Sequence, residues 1–292
     1  MRNATLILSC AALLVGCGAK PAPKKALVKA AAPQVEVPKG PFAEDARLLW
    51  TPDGRHLLVK DEWKLEPDAG QFVPVASRLP AGATLITSFR GQIAAVTPEK
   101  ITVVGGGDIF VPSWLEGATP ERVTVAWIDE DRLYVHQQAG EAEACRLRDL
   151  AANRWLPPSG GCLAPEGALA ELIRGPGAIV GVRTADRIAV RFYDPRRARM
   201  ALQAPDLDAA ARVAFVPHGG TAWVVSACRP GAKPCAAGEP RRYEVDLLEG
   251  TVTDRGPAPA GAAPGPNGGM AWIQNGSVCL GTSPTPARCM KP

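Results

Sequence analysis

Three histidines, His56, His136 and His218, are all the imidazoles this chain possesses. His56 and His218 fall in the same kind of turn within two similar stretches of sequence. They therefore belong to separate copies of one unit and point apart, which argues against a shared metal. Serine-based hydrolysis wants a strained elbow such as Gly-x-Ser-x-Gly, and the sequence contains none. Gly105-Gly106-Gly107-Asp108 has the glycines of a phosphate loop. It lacks the Lys-Ser/Thr and the helix N-terminus that would hold the anion, so it reads as a turn between strands. Asp129-Glu130-Asp131 could attract calcium, but its spacing is not that of an EF-hand loop, and a solvated turn is the plainer reading. Arg196, Arg197 and Arg199, close to Asp194, form a basic turn open to an acidic partner. No catalytic residue, metal ligand or cofactor is assigned, and the chain reads as a binding protein and not an enzyme. Seven tryptophans remain. Trp50, Trp127, Trp223 and Trp272 sit on repeated apolar stretches and read as packing. Trp63, Trp114 and Trp155 stand nearer loops and are the candidate contacts for a ligand or partner.

Six cysteines in the body of the chain, Cys145, Cys162, Cys228, Cys235, Cys279 and Cys289, give the next constraint. There is no Cys-x-x-Cys among them and the histidines lie far away in sequence, so zinc is disfavoured against disulfides. Six cysteines allow fifteen pairings. Their order suggests three local loops: one around Trp155, one enclosing Arg229-Pro230-Gly231, and one enclosing Gly281-Thr282-Ser283-Pro284.

The amino-terminal residues supply the matching address. Arg2 precedes an apolar run, Ala4 to Val15, that is shorter than the ~20 residues of a spanning helix. The run ends in Leu14-Val15-Gly16-Cys17, which resembles the lipobox of bacterial lipoproteins. That resemblance implies cleavage after Gly16 and lipid on Cys17, with residues 1–16 as signal peptide. It also implies an outer-membrane destination, because Gly18 stands where an Asp would favour retention in the inner membrane. Residues 17–40, rich in Lys, Ala and Pro, cannot bury a core and read as a disordered tether. At ~3.1 Å per residue it would reach roughly 70 Å. Lys20, Lys24, Lys25, Lys29 and Lys39 against Glu36 make the tether strongly basic. The whole chain is only +4, so the remainder is close to neutral. The basic balance thus belongs to a segment beside anionic headgroups, and a nucleic-acid partner is excluded.

Residues 41–292 must form the folded domain. Glycine (30) and proline (29) are frequent enough to favour many turns and short strands. One unit recurs: strand, tight turn, strand. It is clearest at Leu48-Leu49-Trp50-Thr51-Pro52-Asp53-Gly54-Arg55-His56-Leu57-Leu58-Val59. It returns around Pro217-His218-Gly219 and Pro266-Asn267-Gly268, with weaker copies around Arg90-Gly91, Asp129-Glu130 and Gly175-Pro176. Taken at Trp50, Phe89, Trp127, Ile173, Phe215 and Pro264, the units start 38 to 49 residues apart, near the ~40–45-residue period of propeller blades. A second hairpin follows in several units: Cys145–Asp149 to Arg154–Leu156, Ile188–Asp194 to Met200–Leu202, and Arg242–Asp246 to Thr251–Val252. Two hairpins per unit make a four-stranded blade.

Trp50-Thr51-Pro52-Asp53-Gly54-Arg55-His56-Leu57 resembles the WD40-like repeat of TolB-type periplasmic propellers. The resemblance implies an all-β fold, a β-propeller of about six four-stranded blades. Thr51 stands where that family has Ser, Asp53 becomes His218 or Asn267 in other units, and three units lack the proline, so blade number stays open. A pair of β-sandwiches is the competing architecture. The expected function is a membrane-anchored envelope module that binds a protein or serves as scaffold. The alternatives are a small-molecule or glycan receptor and, further off, a propeller hydrolase or lyase. The address is directly testable. Cys17→Ser moves the chain from membrane to soluble fractions, and mass spectrometry of the wild type finds acyl chains on Cys17.

Overall fold

The computed structural model describes residues 41–292 apart from 76–78, 81, 159–160, 164–168, 194–200 and 236–237. They belong to one compact unit, Val35–Pro292. The segments expected to be signal peptide and tether, with Gly16 and Cys17, and the expected Asp194–Arg199 basic turn lie outside the described residues.

The recurring turn is a hydrogen-bonded device. Thr51 Oγ1 donates to Asp53 Oδ1 at 2.6 Å and accepts from the His56 amide at 3.0 Å. Thr51 N donates to His56 O at 2.9 Å, and Gly54 closes the turn at φ +71°, a conformation only glycine adopts without strain. Ser88 repeats the role of Thr51, its Oγ accepting from Gln92 N at 3.0 Å with Gly91 at φ +82°. The proline is therefore dispensable. A hydroxyl and a positive-φ glycine suffice here, and the weaker sequence copy at Ser88–Gln92 repeats the geometry of the first.

A turn at this place joins the first two strands of each of six four-stranded antiparallel sheets, every sheet a simple meander; the one at Asp129–Arg132 is a tight hairpin with neither hydroxyl nor glycine. Blade one is β1 (Leu48–Trp50), β2 (Leu57–Val59), β3 (Trp63–Glu66) and β4 (Gln71–Pro74). Blade two is β5 (Thr84–Thr87), β6 (Ile93–Val96), β7 (Lys100–Val103) and β8 (Gly107–Phe110). Blade three is β9 (Arg122–Asp129), β10 (Arg132–Ala139), β11 (Ala142–Asp149) and β12 (Arg154–Leu156). Blade four is β13 (Glu171–Arg174), β14 (Ile179–Arg183), β15 (Arg187–Phe192) and β16 (Leu207–Asp208). Blade five is β17 (Arg212–Phe215), β18 (Thr221–Ser226), β19 (Arg241–Asp246) and β20 (Val252–Pro257). Blade six is β21 (Ala263–Pro264), β22 (Met270–Gln274), β23 (Ser277–Gly281) and β24 (Arg288–Met290). The chain is an all-β, six-bladed propeller, with no α-helix among the described residues. One expected strand is displaced: the return from β15 forms at Leu207–Asp208, where it pairs Ile188 and Arg187, and not at Met200–Leu202. Leu207 is the residue buried against blade five, so burial fixed the partner where turn spacing suggested another.

Side chains alternate across a strand, and here each face belongs to a different neighbour. On β2, Leu57 and Val59 face blade six while Leu58 faces blade two. On β10, Leu133 and Val135 face blade two while Tyr134 faces blade four. On β18, Ala222 and Val224 face blade four while Val225 faces blade six. The result is six apolar clusters, one at each junction of the ring. Blade six is made wholly of carboxy-terminal strands, so no strand is shared between the ends of the domain. The last junction closes instead by packing Leu57, Val59, Leu65 and Phe72 on Ala271, Ile273, Val278 and Met290. Four hydrogen bonds cross it: Phe42 N to Gly276 O at 3.0 Å, Trp50 Nε1 to Ala263 O at 3.2 Å, and Arg288 Nη1 to Pro67 O at 2.9 Å and to Asp68 O at 3.2 Å.

The cysteines pair locally. Cys145 joins Cys162, Cys228 joins Cys235 and Cys279 joins Cys289. The last pair lies directly across β23 and β24. The first ties the loop after β12 back to β11, beside the Tyr134 hydroxyl, which accepts from Leu163 N at 2.9 Å. Leu57 is fully buried at the closing junction, so Leu57→Ala should cost about 2–5 kcal/mol. Urea unfolding should record that loss in a single transition.

Candidate functional site

Two places bring chemistry-bearing side chains together. The first is the outer edge of blades two and three. β8 is the outermost strand of blade two, and Phe110 at its end is 75% exposed, the one large hydrophobic residue so displayed among the described residues. The chain then crosses to blade three through Pro112, Ser113 and Trp114. Buried Gln137 on β10 fixes that crossing with both ends of its amide. Its Nε2 donates to Pro112 O at 2.8 Å, and its Oε1 accepts from Trp114 N at 2.9 Å. Trp114 thereby meets Trp155 of β12 edge to face, with ring centres 4.8 Å apart at 71°. Arg146 and Arg148 lie two apart on β11, hence on one face. Arg146 stands 5.8 Å from the Trp114 ring centre, and Arg148 stands 5.2 Å from that of Trp155, its register partner. Arg148 also donates to Asn153 Oδ1. Both rings are half-buried against the core of blades two and three. Alternating cation and aromatic surfaces on a rigid edge suit a partner with apolar and acidic groups.

Of the three candidate tryptophans, the structure joins Trp114 and Trp155. Trp63 stands on β3, partly buried against the junction of blades one and six, and has no place in this patch. The packing tryptophans behave as expected. Trp127 and Trp272 are buried, and Trp223 is half-buried beneath Arg242 at 5.3 Å.

The second place is the central channel, a cavity of about 280 Å³ lined by the inner strands of all six blades. Leu48, Leu85, Leu172, Val213 and Ala263 give it apolar walls. At the amino-terminal ends of the inner strands stand Arg47, Glu171 and Arg212, with Arg183 register-paired to Glu171. Arg183 Nε donates to Glu171 Oε2 at 2.8 Å, and its Nη2 donates to Ala211 O at 3.0 Å. Arg47 donates to Asp61 Oδ1 at 2.6 Å and to Leu85 O at 3.2 Å. Burial outweighs that neighbour and holds the Asp61 carboxyl above its usual range. At the other end, Phe89 of blade two touches His218 of blade five, ring centres 5.8 Å apart at 69°. These blades lie three places apart in a ring of six, so the contact spans the axis. His218 therefore leans toward the axis, and among the described residues no contact joins it to His56.

The remaining candidates are absorbed by the architecture. His136 is buried on β10 with Nε2 3.1 Å from Glu143 Oε2. His56 serves its turn through its backbone. Gly105–Gly107 is the β7–β8 turn, and Asp108 accepts from Thr102 Oγ1 at 2.7 Å and Lys100 Nζ at 2.9 Å. Those bonds hold its carboxyl below the usual range. Asp129 accepts from Arg132 Nε at 2.7 Å. Glu130 accepts from Ser88 Oγ at 2.7 Å and Arg90 N at 3.0 Å, clamping blade three to blade two. Among the described residues one trio has metal-ligand spacing, Asp208, Cys228 and Cys235. Its two cysteines are joined to each other, which leaves a single carboxylate. Sequence reading missed the Gln137 clamp and the channel arginines. A charged residue at the start of the inner strand in units one, four and five was the available signal.

No family model matches this chain, and no curated protein matches it in sequence. Solved structures do align. A chain of the mitotic checkpoint complex is 13% identical with a TM-score of 0.41, over 91% of this chain and 96% of that one. TolB from Acinetobacter baumannii is 11% identical with a TM-score of 0.32, over 84% of this chain and 56% of TolB. The tricorn protease is 12% identical with a TM-score of 0.38, and this chain spans only 24% of it. At those values the fold rests on the six sheets and their junctions.

The Glu130 clamp gives a test that separates a structural role from a calcium site. Glu130→Ala should lower stability by about 1–2 kcal/mol through two lost charge-assisted bonds. Added calcium should leave the wild-type melting temperature unchanged.

Proposed function

We propose that this chain is an envelope lipoprotein, exported and lipidated on Cys17, whose propeller docks another protein of the cell envelope. The observation that carries the docking reading is the patch on blades two and three. Phe110 is displayed to solvent, and Trp114 and Trp155 are held rigid beneath Arg146 and Arg148. Aromatic and arginine side chains on a fixed scaffold are the residue types that dominate binding energy at protein interfaces. Fixing them beforehand lowers the entropy lost on association. Three disulfides accord with an oxidising compartment, which is where the Leu14-Val15-Gly16-Cys17 motif would deliver the chain. Gly18 after that cysteine favours the outer membrane. The tether would then let the disc search for its partner from the bilayer surface.

The reading is tested by photo-crosslinking from position 110 in intact envelopes. One defined partner band should form with wild type and fall at least about tenfold in the Trp155→Ala and Arg148→Ala variants. It should also be lost in Cys17→Ser. A band that survives both patch substitutions contradicts docking through this edge.

A further inference from the structure

Arg212 opens β17 at the channel mouth, half-buried, and among the described residues its guanidinium has no hydrogen-bond or ion-pair partner. Burial lowers its pKa from the usual guanidinium value, and the charges of Arg183 and Arg47, both of its own sign, lower it further. Arg183 and Arg47 are already engaged, one by Glu171 and the Ala211 carbonyl, the other by Asp61 and the Leu85 carbonyl. Arg212 thus lines the cavity with a guanidinium that has donors to offer and no acceptor among the described residues. A guanidinium withdrawn from water and left unpartnered is unfavourable, and like charges nearby make it more so. Nothing in the packing requires it: the neighbouring positions of β17, Val213 and Ala214, are ordinary apolar wall residues.

We propose that the channel is a binding site for a small organic anion, whose carboxylate or phosphate head is held by Arg212 and whose apolar body lies along the channel wall. The chemistry of the cavity sets each part of that statement. Three guanidinium groups against two carboxylates at the mouth, Asp61 on Arg47 and Glu171 on Arg183, leave the charge of Arg212 in excess and favour a negative head over a positive one. A fork of N–H donors suits the paired oxygens of a carboxylate or phosphate. Leu48, Leu172, Val213 and Ala263, with Trp50 beside them, offer the body of the ligand nothing polar. The cavity of about 280 Å³ is at the small end of ligand sites, which excludes polymers. The Phe89–His218 contact bridges the axis at the opposite end, so the ligand enters past the arginines. This site is separate from the docking patch on blades two and three, and either can fail without the other.

The test is isothermal titration of the full chain with benzoate and with phenyl phosphate, with benzylamine and benzyl alcohol as controls. At least one anion should bind saturably at one site per chain, and neither control should. Comparing the two anions separates a carboxylate from a phosphate preference. Arg212→Gln should weaken binding by about tenfold or more. Glu171→Gln removes a competing carboxylate and should strengthen it several-fold, a gain that misfolding cannot produce. The proposal is overturned if neither anion binds, if benzylamine binds as well as they do, or if affinity is the same in wild type and both variants.

Discussion

A ring of sheets has to close, and in this protein closure depends mainly on apolar packing, with no strand shared between the ends. Propellers manage the exposed edge of each sheet by repetition around an axis, and the ends of the chain must then be joined. No strand of the first blade is contributed by the last segment of the chain. The junction is instead Leu57, Val59 and Phe72 against Ile273, Val278 and Met290, with four hydrogen bonds across it. The alternation of side chains along β2 makes this feasible. The same three-residue strand serves the closing junction with two side chains and the next junction with the third. Each blade is thus a double-faced wedge, and loss of one junction would release one face of each of two blades to water.

Both candidate surfaces inherit their geometry from that closure. The channel exists because six inner strands converge, and its mouth is charged because three of them begin with Arg or Glu or follow an Arg. The outer patch exists because the crossing from β8 to β9 is pinned by a buried glutamine and because β11 carries arginines two residues apart. Neither depends on a long mobile loop. The cost of positioning these groups is met by burial at the junctions, which leaves their side chains free for a ligand or partner.

Much of this was legible in the sequence, and the reasons differ by feature. The turn signals, Pro-Asp-Gly and its degraded copies, mark the hairpin between the two innermost strands, since a positive-φ glycine has few substitutes. Blade period followed from them. The local pairing of cysteines was one reading of their order among fifteen combinations. Three features were not legible. The outer strand β16 forms after a long excursion, so turn spacing misplaced it. The union of Trp114 with Trp155, and the separation of Trp63 from them, depends on which blade edges meet. The channel arginines lie at positions 47, 183 and 212, and only the ring brings them to one mouth.

Hydrogen–deuterium exchange resolved by blade tests the closure most directly, because amide protection reports the free energy of local opening. If apolar packing truly seals the ring, the amides of β2 and β22 exchange within about tenfold of those of β10 and β14. They then share the opening of the whole domain. If blades one and six instead exchange at rates close to those of free hairpins while blades three and four stay protected, the ring is not closed, and a channel built from all six inner strands does not exist.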